Sequence, residues 1–482
     1  MKSPKKLNEL LHGFATADAR PIAALASDSR AVTAETLWLA ARGVTHHALD
    51  YYRDGLQAAA IVYEPPYANP PAGAIACEHL SEHLGSIAAR FYDHPAKALN
   101  VIGVTGTDGK SSLVHFLAQA TGGAMLGTIG YGKLDALEPA SHTTPDPLRV
   151  QQYLARFRDA GIETVAMEVS SHALAQGRVA AVEYHIGVFT NLSRDHLDYH
   201  RDMEDYFLAK ASLFERPLPV AVINIDDAHG RRLLDENRVH PKTRVIAVSS
   251  QNHAHPRAAL TLRARDIVLS PDGIAYTLET EAEQVAIQSG LLARFNVDNL
   301  LNTAACLLAL GTPFAAIPAK LAALHGVPGR AERIGLGNGA AAIIDYAHTP
   351  AALANILQGV RAHVPGKLWC VFGCGGDRDR GKRPLMAQAA EQYADAVVIT
   401  DDNPRTENPA DIIADSLRGM GHREKAWIKR PREEAIRFVL PQLEAGDAVV
   451  IAGKGHEDYQ ILGTTKHHYS DQETVRTWLQ NR

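Results

Sequence analysis

Cysteine is scarce in this chain. Only four occur among 482 residues, at Cys77, Cys306, Cys370 and Cys374. None forms a Cys-x-x-Cys pair. Cys370 and Cys374 would need two more partners at suitable spacing to hold zinc. Free thiols in a reducing compartment are the expectation. A surplus of positive charge is also missing, since the formal net charge is -5. This argues against binding nucleic acid through bulk charge, while leaving local basic sites open. No apolar run is long enough to span a bilayer. Met1 to Phe14 is polar and basic and only briefly apolar, unlike a secretory signal. Repeats and low-complexity tracts are absent too. The expectation is a cytoplasmic protein without membrane insertion.

What is present is ordinary for a soluble globular chain: 46% hydrophobic and 21% charged residues. The length predicts two to four domains. Three sections suggest themselves, 1–98, 99–326 and 327–482. The first alternates short apolar segments with polar turns and carries a rigid loop at Pro65-Pro66-Tyr67-Ala68-Asn69-Pro70-Pro71. The second opens with a buried-type strand at Leu99–Thr105, a glycine-rich loop and a helix over Leu113–Ala120. Further strands are predicted at Thr164–Val169, Ile186–Thr190, Val220–Ile225 and Val245–Ser249. Helical stretches between several of them predict a largely parallel α/β sheet. Ile267–Leu278 reads as a hairpin turning at Pro271-Asp272-Gly273, and Phe295–Leu310 as a helix.

The third section has predicted strands at Ala342–Tyr346, Leu368–Phe372, Ala396–Thr400 and Ala448–Ala452. Each runs into a polar cluster: Asp345 with His348, Gly373 to Arg378, Asp401 to Arg405, and Gly453 to Glu457. In open α/β sheets, ligands bind beyond the carboxyl ends of the strands. Four such clusters at four strand ends predict one site.

The loop Gly106-Thr107-Asp108-Gly109-Lys110-Ser111-Ser112 is the strongest local signal. Strand, glycine-rich turn, Gly-Lys-Ser and helix together hold triphosphates. Glycines let backbone N–H groups approach the phosphates, and the helix N-terminus adds partial positive charge. Lys110 would neutralise β/γ oxygens, and the Ser111 hydroxyl would ligate Mg²⁺. The spacing is shorter than the common P-loop, whose first glycine would fall at Val104. Phosphoryl transfer also needs groups to hold the metal. Glu168 and His196 both follow predicted strands in the same section.

Several separate motifs resemble the Mur ligases, ATP-dependent amide-forming enzymes of peptidoglycan synthesis. They are Asp28-Ser29-Arg30, the loop, Thr143-Thr144-Pro145, Glu168-Val169-Ser170-Ser171-His172, Asn191 to Asp198, and Phe295-Asn296-Val297. Gly329-Arg330-Ala331-Glu332-Arg333 and Asp345-Tyr346-Ala347-His348-Thr349-Pro350 continue the series over nearly the whole length. The resemblance implies an α/β fold of three domains. These are a small N-terminal α/β domain for the UDP substrate, a central P-loop-type ATPase domain with a mainly parallel sheet, and a C-terminal Rossmann-like domain for the amino acid. Asp402-Asn403-Pro404-Arg405, with Phe372 to Arg378 and Gly453 to Asp458, is similar to the members that add meso-2,6-diaminopimelate. The implied reaction joins that amine to UDP-N-acetylmuramoyl-L-alanyl-D-glutamate through an acyl phosphate, in a monomer.

The resemblance also implies roles. Ser29, Val44, Thr45 and His46 would sit at the uridine end. Thr143, Thr144, Ser170, Gln176 and Arg178 would hold the muramoyl dipeptide. Lys210 matches a carbamylated lysine that, with Ser111, Glu168 and His196, holds Mg²⁺. Asn299, Arg333 and Asp345 resemble positions that contact ATP, beside the loop itself. Arg378, Asp402, Asn403, Pro404, Arg405, Gly453 and Glu457 match the diaminopimelate pocket. Arg405 suits the far carboxylate as a bidentate fork, and Glu457 suits the ammonium. From spacing alone, Lys210 reads as a solvated helix lysine. The acceptor of the amine's proton stays open between His196 and His348. Three departures from the family pattern stand out: Asp108 beside a triphosphate, the run His46-His47-Ala48-Leu49-Asp50, and His142.

Overall fold

The short apolar segments near the N-terminus form a four-stranded parallel sheet. Ala24–Ala26, Thr36–Ala40, Ala60–Tyr63 and Ile75–Ala76 pair in chain order. Thr36–Ala40 is buried along its length. The helix Leu80–Phe91 packs Leu80, Ile87 and Ala88 into the same core as Leu37, Leu39 and Val62. These strands have two to five residues, too short for alternation to declare them in the sequence.

The computed structural model describes residues 4–43, 45–197 and 199–481 of a mixed α/β chain. Two compact units are present. One comprises Met1–Ala247, Ala254–Leu260 and Ala305–Gly311; the other comprises Val248–His253, Thr261–Ala304 and Thr312–Arg482. Among the described residues no helix is long and apolar enough to cross a membrane.

In the first unit the strand Asn100–Thr105 is central. Thr164–Glu168 and Ile186–Phe189 flank it in parallel, with Ala124–Gly127 beyond the former and Val220–Asn224 beyond the latter. Gly130–Lys133 adds an antiparallel partner to Ala124–Gly127. Val101, Ile102 and Val104 are fully buried, as a strand covered on both faces requires. The register has a consequence for chemistry. The glycine-rich loop, Glu168 and the segment from Thr190 all leave neighbouring strands at the same edge.

In the second unit, Leu260–Ser270, Gly273–Glu279 and Gln284–Ser289 form an antiparallel meander. The expected hairpin is its first two strands; its third was not foreseen. A six-stranded sheet follows in the order Glu332–Gly335, Ala341–Asp345, Ala448–Ala452, Leu368–Cys374, Ala396–Asp401, Ala426–Ile428. All pairs are parallel except the first. The four expected strands are its four central members. The two edge strands went unpredicted because Glu332–Gly335 is half polar and Ala426–Ile428 has only three residues.

Candidate active site

The glycine-rich loop turns where a side chain has no room. Gly106 has φ +151°, and a Cβ there would meet Thr190 Oγ1 at 1.9 Å. The helix Lys110–Thr121 starts directly after Gly109, and Ser111 and Ser112 stand half-buried in its first turn. The next strand end clamps the loop. Thr107 N donates to Asn191 O at 2.9 Å, and Asp108 N to Asn191 Oδ1 at 2.9 Å. Thr190 Oγ1 donates to Asp108 O at 2.7 Å. The Asp108 carboxylate accepts from Ser193 Oγ at 3.3 Å, so the uncomfortable charge has a donor. The Lys110 ammonium donates to Gly106 O at 3.0 Å and Thr107 O at 2.7 Å.

Lys210 is a correction to the spacing argument. It is not solvated: it is 1% exposed and donates to Gly106 O at 2.7 Å. The buried residues of the helix Met203–Glu215 are Tyr206, Phe207, Lys210, Ala211, Leu213 and Phe214. That is an apolar stripe at helical period with a lysine in it, a signal available in the sequence. Burial, reinforced by the charge of Lys110, holds the Lys210 amine well below the usual lysine range. Its Nζ lies 4.5 Å from the centre of the Tyr206 ring. Tyr206 Oη is hydrogen-bonded to Thr107 Oγ1 at 3.1 Å, and burial pushes this phenol up to about 12.

A ring cluster extends from there. His196, with φ +54°, stands 5.9 Å from Tyr206 and 5.0 Å from His172, centroid to centroid. His172 meets Tyr199 at a tilt of 40°, with ring centroids 4.2 Å apart. Tyr199 Oη accepts from Gln176 Nε2 at 3.2 Å, and Gln176 Oε1 accepts from Arg178 Nε at 2.8 Å. Arg178 Nη1 donates to Thr144 O at 3.1 Å. Buried Thr144 donates its hydroxyl to Glu168 O at 2.8 Å and accepts from Ser170 N at 3.1 Å. Thr128 N donates to Glu168 Oε1 at 2.8 Å, and Thr128 Oγ1 donates to Thr143 Oγ1 at 3.1 Å. The structure therefore brings together the loop, Lys210, His196, Glu168 and all five expected dipeptide residues. Tyr206, Tyr199 and buried His200 were missed. Their partners lie across turns that periodicity does not join.

Among the described residues, no three His, Cys, Asp or Glu side chains form a ready-made metal cage. Mg²⁺ keeps waters and takes one or two carboxylates together with phosphate oxygens. The buried Glu168 carboxylate at the strand end offers such a ligand.

Near the N-terminus, Ser29, His46, Asp50, Tyr51 and Arg53 line a cavity of 830 Å³. Thr45 is exposed and does not line it, while Val44 and Asp198 lie outside the described residues. His47 is structural. Its Nδ1 accepts from Leu49 N at 3.0 Å and its Nε2 meets Glu64 O at 2.8 Å. His142 meets the Tyr131 hydroxyl through its backbone N–H and carbonyl, contacts that do not use its side chain.

In the second unit the four polar clusters interlock. Gly453 N donates to Asp345 O at 3.0 Å, and Gly376 N to Asn403 O at 2.9 Å. A Cβ on Gly376 would meet Pro404 O at 1.9 Å, and one on Gly375 would meet Arg405 Nη1 at 2.9 Å and Arg378 Cγ at 3.7 Å. Arg405 has φ +52° and donates from Nη1 to Gly376 O at 2.8 Å. Asn403 Nδ2 donates to Glu457 Oε2 at 3.4 Å. The Asp345 carboxylate accepts from Ala331 N and Ala347 N, both at 2.8 Å, and burial raises its pKa. Arg330, not foreseen, lies over the Tyr346 ring at 4.7 Å. Arg333 instead stands exposed on the edge strand. Asn299 is buried and donates to Asn296 Oδ1 at 2.8 Å. Fully buried Arg383 was also missed; it binds Asp415, Glu407 and Gly375 O.

Residues 104–307 match the Mur ligase middle domain, and residues 329–455 match the Mur ligase glutamate ligase domain. The UDP-N-acetylmuramoyl-L-alanyl-D-glutamate--2,6-diaminopimelate ligase of Alkalilimnicola ehrlichii is 45% identical over 480 residues, 95% of each chain. A solved structure of a ligase with that same description superposes with TM-score 0.76 at 34% identity, over 99% of each chain. A Mycobacterium tuberculosis folylpolyglutamate synthase complexed with ADP and AMPPCP reaches TM-score 0.59 at 18% identity. It covers 77% of this chain and 92% of its own, a likeness of fold alone.

Proposed function

The chain belongs to the Mur ligase family, and from that membership we infer that it is an ATP-dependent ligase of peptidoglycan precursor synthesis. It joins meso-2,6-diaminopimelate to the D-glutamate of UDP-N-acetylmuramoyl-L-alanyl-D-glutamate, giving the UDP-muramoyl tripeptide, ADP and phosphate. The observation that carries this reading is the unbroken path of contacts from Thr107 through Tyr206, His196, His172, Tyr199, Gln176 and Arg178 to Thr144. It joins a triphosphate loop to a cluster able to hold a carboxylate substrate.

A carboxylate is a poor electrophile and must be activated. Its oxygen takes the γ-phosphoryl group of ATP to give an acyl phosphate. Lys110 and the N–H groups of the first turn of the helix Lys110–Thr121 would meet the transferring charge, since the Thr107 and Asp108 amides are spent on Asn191. Ser111, Glu168, His196 and a carbamate on Lys210 would hold Mg²⁺, which supplies charge neutralisation at the phosphoryl group. The low basicity of Lys210 supports that carbamate. A neutral amine attacks CO₂, loses a proton and becomes an anion, and burial favours the neutral amine here. The diaminopimelate amine then attacks the acyl carbon and phosphate leaves; the amine's proton goes to His348, or to His196 only when that imidazole is not holding the metal.

The Arg405 and Glu457 groups suit the far carboxylate and ammonium of the amine. We read the chain as three functional segments: 1–98 for the UDP end, 99–326 for ATP and 327–482 for the amino acid. The reading places the enzyme in the cytoplasm as a monomer, with no nucleic-acid partner and no membrane insertion. ADP release with the UDP-muramoyl dipeptide, varying the amine, tests it. Strong preference for meso-diaminopimelate is expected; equal kcat/KM with L-lysine would overturn the assignment.

A further inference from the structure

Two acidic groups of the amine pocket, Asp402 and Glu457, share a buried cation. Lys454 is 0% exposed. Its ammonium lies 3.4 Å from Asp402 Oδ1 and 3.8 Å from Glu457 Oε2. It donates to Asn403 Oδ1 at 3.2 Å and to Tyr459 O at 2.7 Å. A buried ammonium is tolerated only when paired and hydrogen-bonded. Here the partners are Asp402, Asn403 and Glu457, three residues that the family resemblance assigns to the amine pocket.

The cation also organises its neighbours. Asn403 Oδ1 accepts from Ile461 N at 2.8 Å as well as from Lys454, which fixes which way its amide faces. Its Nδ2 is thereby turned toward Glu457. Glu457 N donates back to Lys454 O at 2.9 Å. The nearby Arg432 guanidinium gives two bonds of 2.8 Å to Asp471, and its Nη1, which carries no hydrogen bond among the described residues, adds positive charge near Asp402. Lys454 stands within ion-pair distance of both Asp402 and Glu457, from a fully buried place.

We propose that Lys454 is a positioning residue for amine recognition: it sets the spacing of Asp402 and Glu457 and the orientation of Asn403, so that a substrate ammonium meets carboxylates already fixed in place. The proposal rests on reading these strand ends as the amino-acid pocket. Removing the cation leaves two carboxylates to repel each other and frees the Asn403 amide to turn.

The test is steady-state ADP release by the full-length enzyme, varying meso-diaminopimelate, ATP and the UDP-muramoyl dipeptide in turn. Lys454→Gln keeps a donor for Asn403, and Lys454→Met keeps only volume. In Lys454→Gln the KM for diaminopimelate should rise about tenfold or more while kcat at saturation stays within about threefold and the other two KM values within about twofold. Lys454→Met should be worse in the same KM alone. An unchanged diaminopimelate KM would overturn the proposal. So would a fall in kcat and a rise in every KM that track lost thermal stability, or failure of both variants to fold. A wild-type enzyme indifferent to diaminopimelate would instead sink the reading of the pocket, whatever Lys454 does.

Discussion

Lys210 Nζ donates to the Gly106 carbonyl at 2.7 Å, across 104 positions of sequence. A helix lysine is thus part of the phosphate loop's support. Its environment favours the uncharged amine, the form that takes up CO₂. Activity should fall in CO₂-depleted buffer and return with bicarbonate. Lys210→Met should lower kcat about 100-fold or more, the scale of losing one preorganised charge at a reacting phosphoryl group. With ¹³C-bicarbonate, the wild type should show a carbamate resonance that the variant lacks. No resonance in an active wild type would rule out the modification.

Loop geometry predicts opposite outcomes at neighbouring residues. Gly106→Ala forces a Cβ against Thr190 in a conformation that suits glycine, and should cut kcat/KM for ATP more than about 100-fold. Asp108→Asn keeps the acceptor for Ser193, so the KM for ATP should change less than about threefold. A large change there would give the carboxylate a role of its own.

Selectivity should rest on Arg405. Truncating one side of a buried charge pair commonly costs about 2–5 kcal/mol. Arg405→Ala should raise the KM for meso-diaminopimelate, narrow its advantage over L-lysine, and leave the KM for ATP unchanged. Competition between the two amines in one ADP-release assay measures this directly.

Acid should weaken the first unit through His115. Burial in the helix Lys110–Thr121 takes this imidazole from 6.5 to about 4. The unfolded chain then accepts a proton before the folded one does. Stability from this residue is present above pH 6.5 and is lost as pH falls toward about 4, by up to ~3 kcal/mol. Thermal midpoints from pH 7.5 to 4.5 should drop less in His115→Leu than in the wild type. Equal slopes would count against the assignment.

What the sequence revealed and what it hid follow from range. The strand, turn and helix around Lys110 are local, so their chemistry reads directly from neighbouring residues. The four strand ends of the second unit were legible because apolar runs stop abruptly at polar clusters. Lys210, His200, Arg383 and Lys454 were not. Each is a polar residue buried by partners from other segments, and composition gives no sign of which charge will find a counter-charge. Lys210 is the instructive exception, because its place in the Tyr206–Phe214 stripe was readable and was outweighed by its charge.

The contact of Gly376 with Pro404 bears on how such an enzyme could be re-engineered. A methyl group at Gly376 would stand 1.9 Å from the Pro404 carbonyl, and Arg405 is also tied to the short strand Tyr459–Leu462, donating N–H to Ile461 O at 3.1 Å. Transplanting the tetrapeptide Asp402–Arg405 alone into a relative would leave it without its mould. A graft meant to change the amine must carry three chain segments at once: the 375–378 turn, 402–405 and 459–462. If these strand ends do choose the amine, as proposed above, a change of selectivity would have to move as a block.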